Sequence, residues 1–187
     1  MLTNLRTALL YTICTTLIFG VGYPLAVTAL AQLFWKDNAG GQIIARNGTL
    51  IGSRIIAQPF TGESYFHPRP SAAGNGYDAS SSGGSNFGPT NQKLLDRVQA
   101  DVASEQHQDA SAVPIDMVTT SASGLDPDIT VANALRQCAR VARARHLSPE
   151  RVRNLVAQHT VRRSLRFFGE PRVNVLEINL ALDQERP

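Results

Sequence analysis

Asp116, Asp126 and Asp128 lie close together in the chain and carry the oxygen chemistry that holds a hard cation. The same residues are explained without one, because Asp-Pro is turn chemistry and acids are favoured near helix starts. The four histidines, His67, His107, His146 and His159, show no metal-ligand spacing and have no cysteine in a short motif with them. Gly83 and Gly88 have the glycine spacing of a phosphate-binding loop, with Thr90 at the hydroxyl position. Pro89, however, stands where the lysine belongs. It brings no charge to a phosphate and removes a backbone donor from the cradle. There is no G-x-S-x-G nucleophile elbow either. These residues favour binding over covalent or metal-assisted chemistry.

Ten arginines fall between positions 136 and 172 against two acids, Glu150 and Glu170. A basic strip of this kind suits an anionic ligand or lipid surface. Without aromatics interleaved as stacking platforms, nucleic acid is not expected, and a solvated or subunit-facing surface is the reading. The overall charge of +3 is too small to name a partner. Tyr65-Phe66-His67-Pro68-Arg69-Pro70 is stiffened by its prolines, which fix φ and remove backbone donors. It is expected to be a loop packing its aromatics on the domain, with a recognition surface as the alternative.

These residues need a scaffold, and the scaffold begins with residues 7–35, a run of 29 containing no Asp, Glu, Lys, Arg or His. About 20 apolar residues suffice to cross a bilayer, so the run reads as one transmembrane helix over about residues 8–34. Gly20, Gly22 and Pro24 in its middle provide for a bend or a close helix contact. A cleaved secretory signal is the alternative, with Ala29-Leu30-Ala31 as its cleavage site, but signal cores run only about 7–15 residues. The division is therefore an N-terminal segment, 1–37, and one soluble domain, 38–187. Two cysteines, Cys14 in the helix and Cys138 far beyond it, do not suggest a disulfide.

In the soluble domain, Asn47-Gly48 between two apolar runs predicts a β-hairpin, its second arm continuing through Ile55-Ile56 to Pro59. The Gly/Ser/Asn-rich passage from Gly74 to Pro89 has linker composition, but Tyr77 and Phe87 argue that it packs. Thr90 or Asn91 caps a helix carrying Leu94, Leu95, Val98 and Val102 and ending near Glu105. Residues 113–119 read as a short strand. Thr130 caps a second helix with Val131, Leu135, Cys138 and Val141 on one face and Arg136, Arg140 and Arg143 on another. Ser148-Pro149-Glu150 starts a third, burying Val152, Leu155 and Val156. Residues 173–182 are β-rich, with Leu176, Ile178, Leu180 and Leu182 alternating against Glu177 and Asn179, which predicts a closing strand beside the hairpin. The fold class is α+β: one N-terminal transmembrane helix followed by a single mixed α/β soluble domain.

Several motifs in the same order resemble the KdpC family, one of the subunits of the bacterial Kdp-type high-affinity potassium-transporting P-type ATPase, over almost the whole chain. They are Gly22-Tyr23-Pro24, Tyr65-Phe66-His67-Pro68-Arg69-Pro70-Ser71-Ala72, Ser81-Ser82-Gly83-Gly84-Ser85-Asn86, Gly88-Pro89-Thr90-Asn91, Ser121-Ala122-Ser123-Gly124-Leu125-Asp126-Pro127, Arg140-Val141-Ala142-Arg143-Ala144-Arg145, and Gly169-Glu170-Pro171-Arg172-Val173-Asn174-Val175-Leu176-Glu177-Ile178-Asn179-Leu180. The resemblance implies a non-catalytic accessory subunit of an ATP-driven potassium uptake pump. Its partners would be an ATPase subunit, a potassium-channel-like subunit, a small single-span subunit and membrane lipid.

The residues agree with that role. Lys36 and Lys93 are the only lysines, followed by Asp37 and Leu94, so an Asp-Lys-Thr phosphorylation motif is absent. A lone helix also cannot supply the pore loops of a potassium filter. The family further implies a catalytic chaperone that raises the ATP affinity of the ATPase subunit. A likeness to the Leu-Ser-x-x-Gln signature of ABC ATPases would fall on Leu147 and Ser148, with Arg151 where glutamine should stand. No cofactor is expected to reside in this chain, ATP being reached through the partner ATPase subunit. A membrane-anchored nucleotide- or anion-binding module is the alternative. A bacterial inner-membrane protein with its N-terminus in the cytoplasm and its soluble domain in the periplasm is expected, since long domains translocate whatever their charge.

Overall fold

The computed structural model describes residues 2–185, which fall into two units divided between residues 43 and 44. The first is helical. Helix α1 (Leu2–Thr15) runs into a π-helical stretch, Thr16–Gly22, and then into α2 (Tyr23–Phe34). Pro24 explains the interruption: in a regular α-helix its ring would meet the carbonyl of Gly20. The wider turn takes up the misfit, and the Tyr23 N–H reaches back to the Ile18 carbonyl. Residues 2–34 form a helix long and apolar enough to cross a membrane, with none of its apolar window buried against the protein. A helix apolar all round needs an apolar solvent. A short helix, α3 (Lys36–Ala39), follows.

The second unit begins at the expected hairpin, β1 (Ile43–Arg46) and β2 (Thr49–Ser53), turning through Asn47 and Gly48, both at positive φ. Its second arm stops short of the expected Pro59. The Ser53 hydroxyl accepts from the Ile55 N–H at 3.3 Å and the Ser53 carbonyl from the Ile56 N–H at 3.4 Å, which turns the chain. Helix α4 (Gln92–Gln108) is capped by Asn91, whose side chain accepts from the Lys93 N–H. Residues 113–119 are not a strand: Pro114 precedes a one-turn helix, α5 (Ile115–Val118).

Strand β3 (Asp128–Thr130) leads into α6 (Val131–Arg145), capped by Thr130 as expected, and α7 (Pro149–Gln158) is capped by Ser148 with Pro149 at its first position. Of the expected apolar face of α6, Cys138 and Val141 are buried, whereas Leu135 is exposed and its place is taken by Asn133 and Gln137. Strand β4 (Thr160–Val161) and β5 (Arg172–Asn174) complete a three-stranded antiparallel sheet in the order β3-β5-β4. Ile129 faces Val173 across β3 and β5 in this register.

The predicted closing strand is corrected in two respects. Only residues 172–174 are extended, and they pair with β3 and β4 rather than with the hairpin. From Val175 the chain is helical, α8 (Val175–Leu182), with Asn174 accepting from the Glu177 N–H as its cap. The core lies between α6, α7, α8 and the sheet, and includes Ile129, Val141, Val152, Val156, Val173, Ile178 and Leu182. Each large apolar side chain buried there is worth about 1.5–3 kcal/mol against exposure to water.

Candidate functional site

Across this core runs residues 62–73, a strap with no strand or helix of its own. An irregular segment must find partners for its backbone groups wherever it is buried. Here the partners are side chains from α6 and α8. Phe66 is fully buried; its N–H donates to Asn179 Oδ1 at 2.8 Å, and Asn179 Nδ2 donates back to the Phe66 carbonyl at 2.9 Å. One residue on, the His67 N–H donates to Gln137 Oε1 at 2.7 Å and Gln137 Nε2 to the His67 carbonyl at 3.1 Å. Two amide side chains thus imitate the edge of a β-strand. Gln137 Nε2 also donates to Asn133 Oδ1 at 2.7 Å, which fixes its orientation.

Arginines hold the rest of the strap. Arg140 donates to the carbonyls of Glu63 at 2.7 Å and Tyr65 at 3.0 Å. Arg145 donates to the carbonyls of Ser64 at 2.6 Å and Leu182 at 3.0 Å, and pairs with Asp183 at 2.8 Å. Its guanidinium lies 4.7 Å from the centre of the Tyr65 ring, a cation–π distance. Arg69 forms an ion pair with Asp126 at 2.9 Å, and the Tyr77 hydroxyl donates to the Arg69 carbonyl at 2.7 Å. Arg69 is thus engaged by its own domain rather than presented to a partner.

The expectation that the arginines form a surface is corrected for three of them. Arg136 has 6% of its side chain exposed and donates to the carbonyls of Glu105, Asp109, Ser111 and Ala112, closing the end of α4. Arg140 and Arg145 face the strap. Burial lowers the pKa of Arg140, with Glu63 and Glu105 opposing the shift. Beside these side chains is a groove of about 750 Å³, lined by His67, Tyr77, Glu105, Arg136, Arg140 and Arg143 among others.

The other candidates have local partners. Asp116 accepts from the Thr130 N–H, the Thr130 hydroxyl and Asn133 Nδ2 at 2.8–3.0 Å. Asp128 pairs with Arg172 at 2.8 Å. Burial raises the pKa of Asp128, against the pull of Arg172. The carboxylates nominated for a cation are thus each engaged by a donor of the fold. Ser148 Oγ accepts from the Arg151 N–H at 3.2 Å, and Leu147 packs against the core. Neither lines the groove. The glycine-rich passage is docked: the Gly83 N–H donates to the Ser123 carbonyl at 2.8 Å, and a Cβ on Gly124 would come within 2.6 Å of the Gly83 carbonyl. Tyr77 packs as expected, whereas Phe87 is 41% exposed. Asn133, Gln137 and Asn179 were not among the candidates, since their positions read as a polar face.

The fold is thus one helix long and apolar enough to cross a membrane, followed by an α+β domain whose inward polar groups clamp its own backbone. The family model described as "KdpC: K+-transporting ATPase, c chain" matches residues 5–184, and the chain belongs to that family. It is 62% identical over 185 residues to the potassium-transporting ATPase KdpC subunit of Koribacter versatilis, covering 98% of this chain and 96% of that protein. The KdpC subunit of Acidobacterium capsulatum is 57% identical over 181 residues, covering 97% and 98%. That of Rhodospirillum rubrum is 54% identical over 190 residues, covering 100% and 98%.

Proposed function

We propose that the chain is the non-catalytic accessory subunit of an ATP-driven potassium uptake pump, that it supports assembly, and that it raises the ATP affinity of the P-type ATPase subunit indirectly, from the periplasmic side. The observation that carries the indirect reading is the cap of α7. The Ser148 hydroxyl is engaged by the Arg151 N–H and Leu147 by the core, so the stretch nominated for nucleotide contact is occupied by the fold. The subunit then acts by favouring one conformation of its partner, and a coupling of about 1–3 kcal/mol would change an affinity about 5–150-fold.

Topology separates the two routes, because direct contact with ATP needs the cytosol. Ser104 is exposed on α4, and Ser104→Cys in a Cys14→Ala background offers a probe for a membrane-impermeant thiol reagent in intact cells. Ser111, in the same region, is less suitable because its hydroxyl contacts Arg136 at 2.6 Å. Labelling in cells whose inner membrane is intact is the expected result. Labelling only after that membrane is opened would falsify the periplasmic placement and favour direct contact at Leu147 and Ser148. The companion measurement is the ATP dependence of the purified pump with and without this subunit, the half-saturating concentration rising when it is missing.

A further inference from the structure

The turn between β4 and β5 exposes apolar surface that its own domain does not cover. Leu165 is 77% exposed, Phe167 64% and Phe168 58%. The two rings stand 4.1 Å apart, centre to centre. The loop is nonetheless well formed. Ser164 and Phe168 exchange two backbone hydrogen bonds at 2.9 Å, and Leu165 and Arg166 both lie in the left-handed region, at φ 52° and 71°. Side chains other than glycine adopt that conformation against a penalty. The sequence therefore keeps a strained turn that holds a leucine and two phenylalanines in water.

Charge surrounds this tip asymmetrically. Arg163 is paired with Glu170 at 2.6 Å, while Arg162 and Arg166 make no side-chain ion pair among the described residues. The result is an apolar finger flanked by two cations that have no ion-pair partner among the described residues. Its complement is an apolar pocket about an aromatic ring wide, rimmed by carboxylates. Aromatic and arginine side chains are the residue types that dominate binding energy at protein interfaces, and a pre-formed loop loses little entropy on docking. Exposed aromatics beside cations also suit an anionic lipid surface, but lipid makes no use of the fixed spacing of the two rings, whereas a pre-formed protein pocket does.

We infer that residues 162–168 are a docking finger that inserts Phe167 and Phe168 into an apolar, acid-rimmed pocket on another subunit of the potassium pump. The inference rests on the accessory-subunit reading and adds the place of contact. It predicts that assembly depends on an extramembranous contact as well as on the apolar helix.

The test uses membranes containing the whole pump. A photo-crosslinking phenylalanine analogue at position 167 is expected to yield an adduct of this chain with a pump subunit. An adduct with lipid alone, or none, overturns the inference. Separately, the double variant Phe167→Ala, Phe168→Ala and the single variant Arg166→Glu are purified through a tag on the ATPase subunit. Both should be recovered with the complex at least about fivefold less than the unaltered chain. Because all three side chains are exposed, the urea midpoint of the free subunit should stay unchanged, which separates lost docking from lost folding. Equal recovery of variant and unaltered chains overturns the finger alone. Failure of the unaltered chain to copurify overturns the accessory-subunit reading, and the finger with it.

Discussion

Asn179 closes a two-hydrogen-bond ring with the backbone of Phe66, although 113 residues separate them in the chain. Both residues are buried, so neither member of the pair can turn to water instead. Replacing Asn179 by leucine keeps much of the volume but leaves the Phe66 N–H and carbonyl unpaired. A loss of about 2–4 kcal/mol is expected from two such groups. Urea denaturation of the detergent-solubilised chain measures it, and a loss within error of zero would show that the strap is not held by this side chain.

His67 gives the domain a pH dependence of defined sign. Burial lowers its pKa below the ordinary 6.5, and Arg140 lowers it further, while the Gly62 carbonyl and Glu63 oppose both. The unfolded chain consequently binds a proton more readily than the fold does. Stability is complete above about pH 6.5 and is lost as pH falls from there toward the lowered folded value. His67→Gln can still donate toward the Gly62 carbonyl but does not titrate. Its urea midpoint should fall less steeply between pH 7 and pH 5 than that of the unaltered chain, a comparison that cancels the other titrating groups.

Cys138 should be chemically silent in the folded protein. It is 1% exposed, and burial pushes its thiol up to about 11, only partly opposed by Arg153. Thiolate is the reactive form, and little of it exists at pH 8. In a Cys14→Ala background a thiol reagent should leave the chain unmodified in buffer and label it only as urea approaches the unfolding midpoint. Rapid labelling in buffer would contradict the packing of α6 against α7.

Gly22 separates the helix's own needs from those of its neighbours. Its backbone is right-handed helical, and a Cβ there would meet only the Leu17 carbonyl at 3.4 Å, an ordinary contact. Gly22→Leu should therefore leave the helix intact. If a partner helix packs closely at this point, the added side chain should reduce the recovery of assembled complex through overpacking. Undiminished recovery would remove the close contact.

The elements that announced themselves in sequence were those fixed by local chemistry. The Asn47-Gly48 turn, the Thr130 cap and the Ser148-Pro149 start each depend on residues within four positions, and each occurs where expected. Helix α8 was missed through Asn179. With Asn179 taken as solvent-facing, 176–182 alternates like a strand; with Asn179 buried, Val175, Leu176, Ile178, Asn179 and Leu182 form one helical face. The Asn174 cap, with Glu177 three residues on, was a readable signal for the helix. Residues 113–119 failed for a related reason. Their β-branched content suggested a strand, but Asp116 is required beneath Thr130 and Asn133, and only the tertiary fold supplies those donors. The clamps on the strap were not legible at all, since a long-range hydrogen bond leaves no periodicity.

The strap also fixes an order of events during synthesis. Its partners Asn179 and Asp183 leave the ribosome more than a hundred residues after Phe66 does. Until then the clamps from α6, Gln137 on His67 and Arg140 on the Tyr65 carbonyl, can form, but the Phe66 N–H and carbonyl have no partner, so the strap cannot close. The anchor helix satisfies its backbone within its own turns and is under no such delay. Maturation of this subunit is accordingly vectorial: the membrane helix can be seated first, and the α+β domain locks only when α8 arrives to receive a segment made long before it.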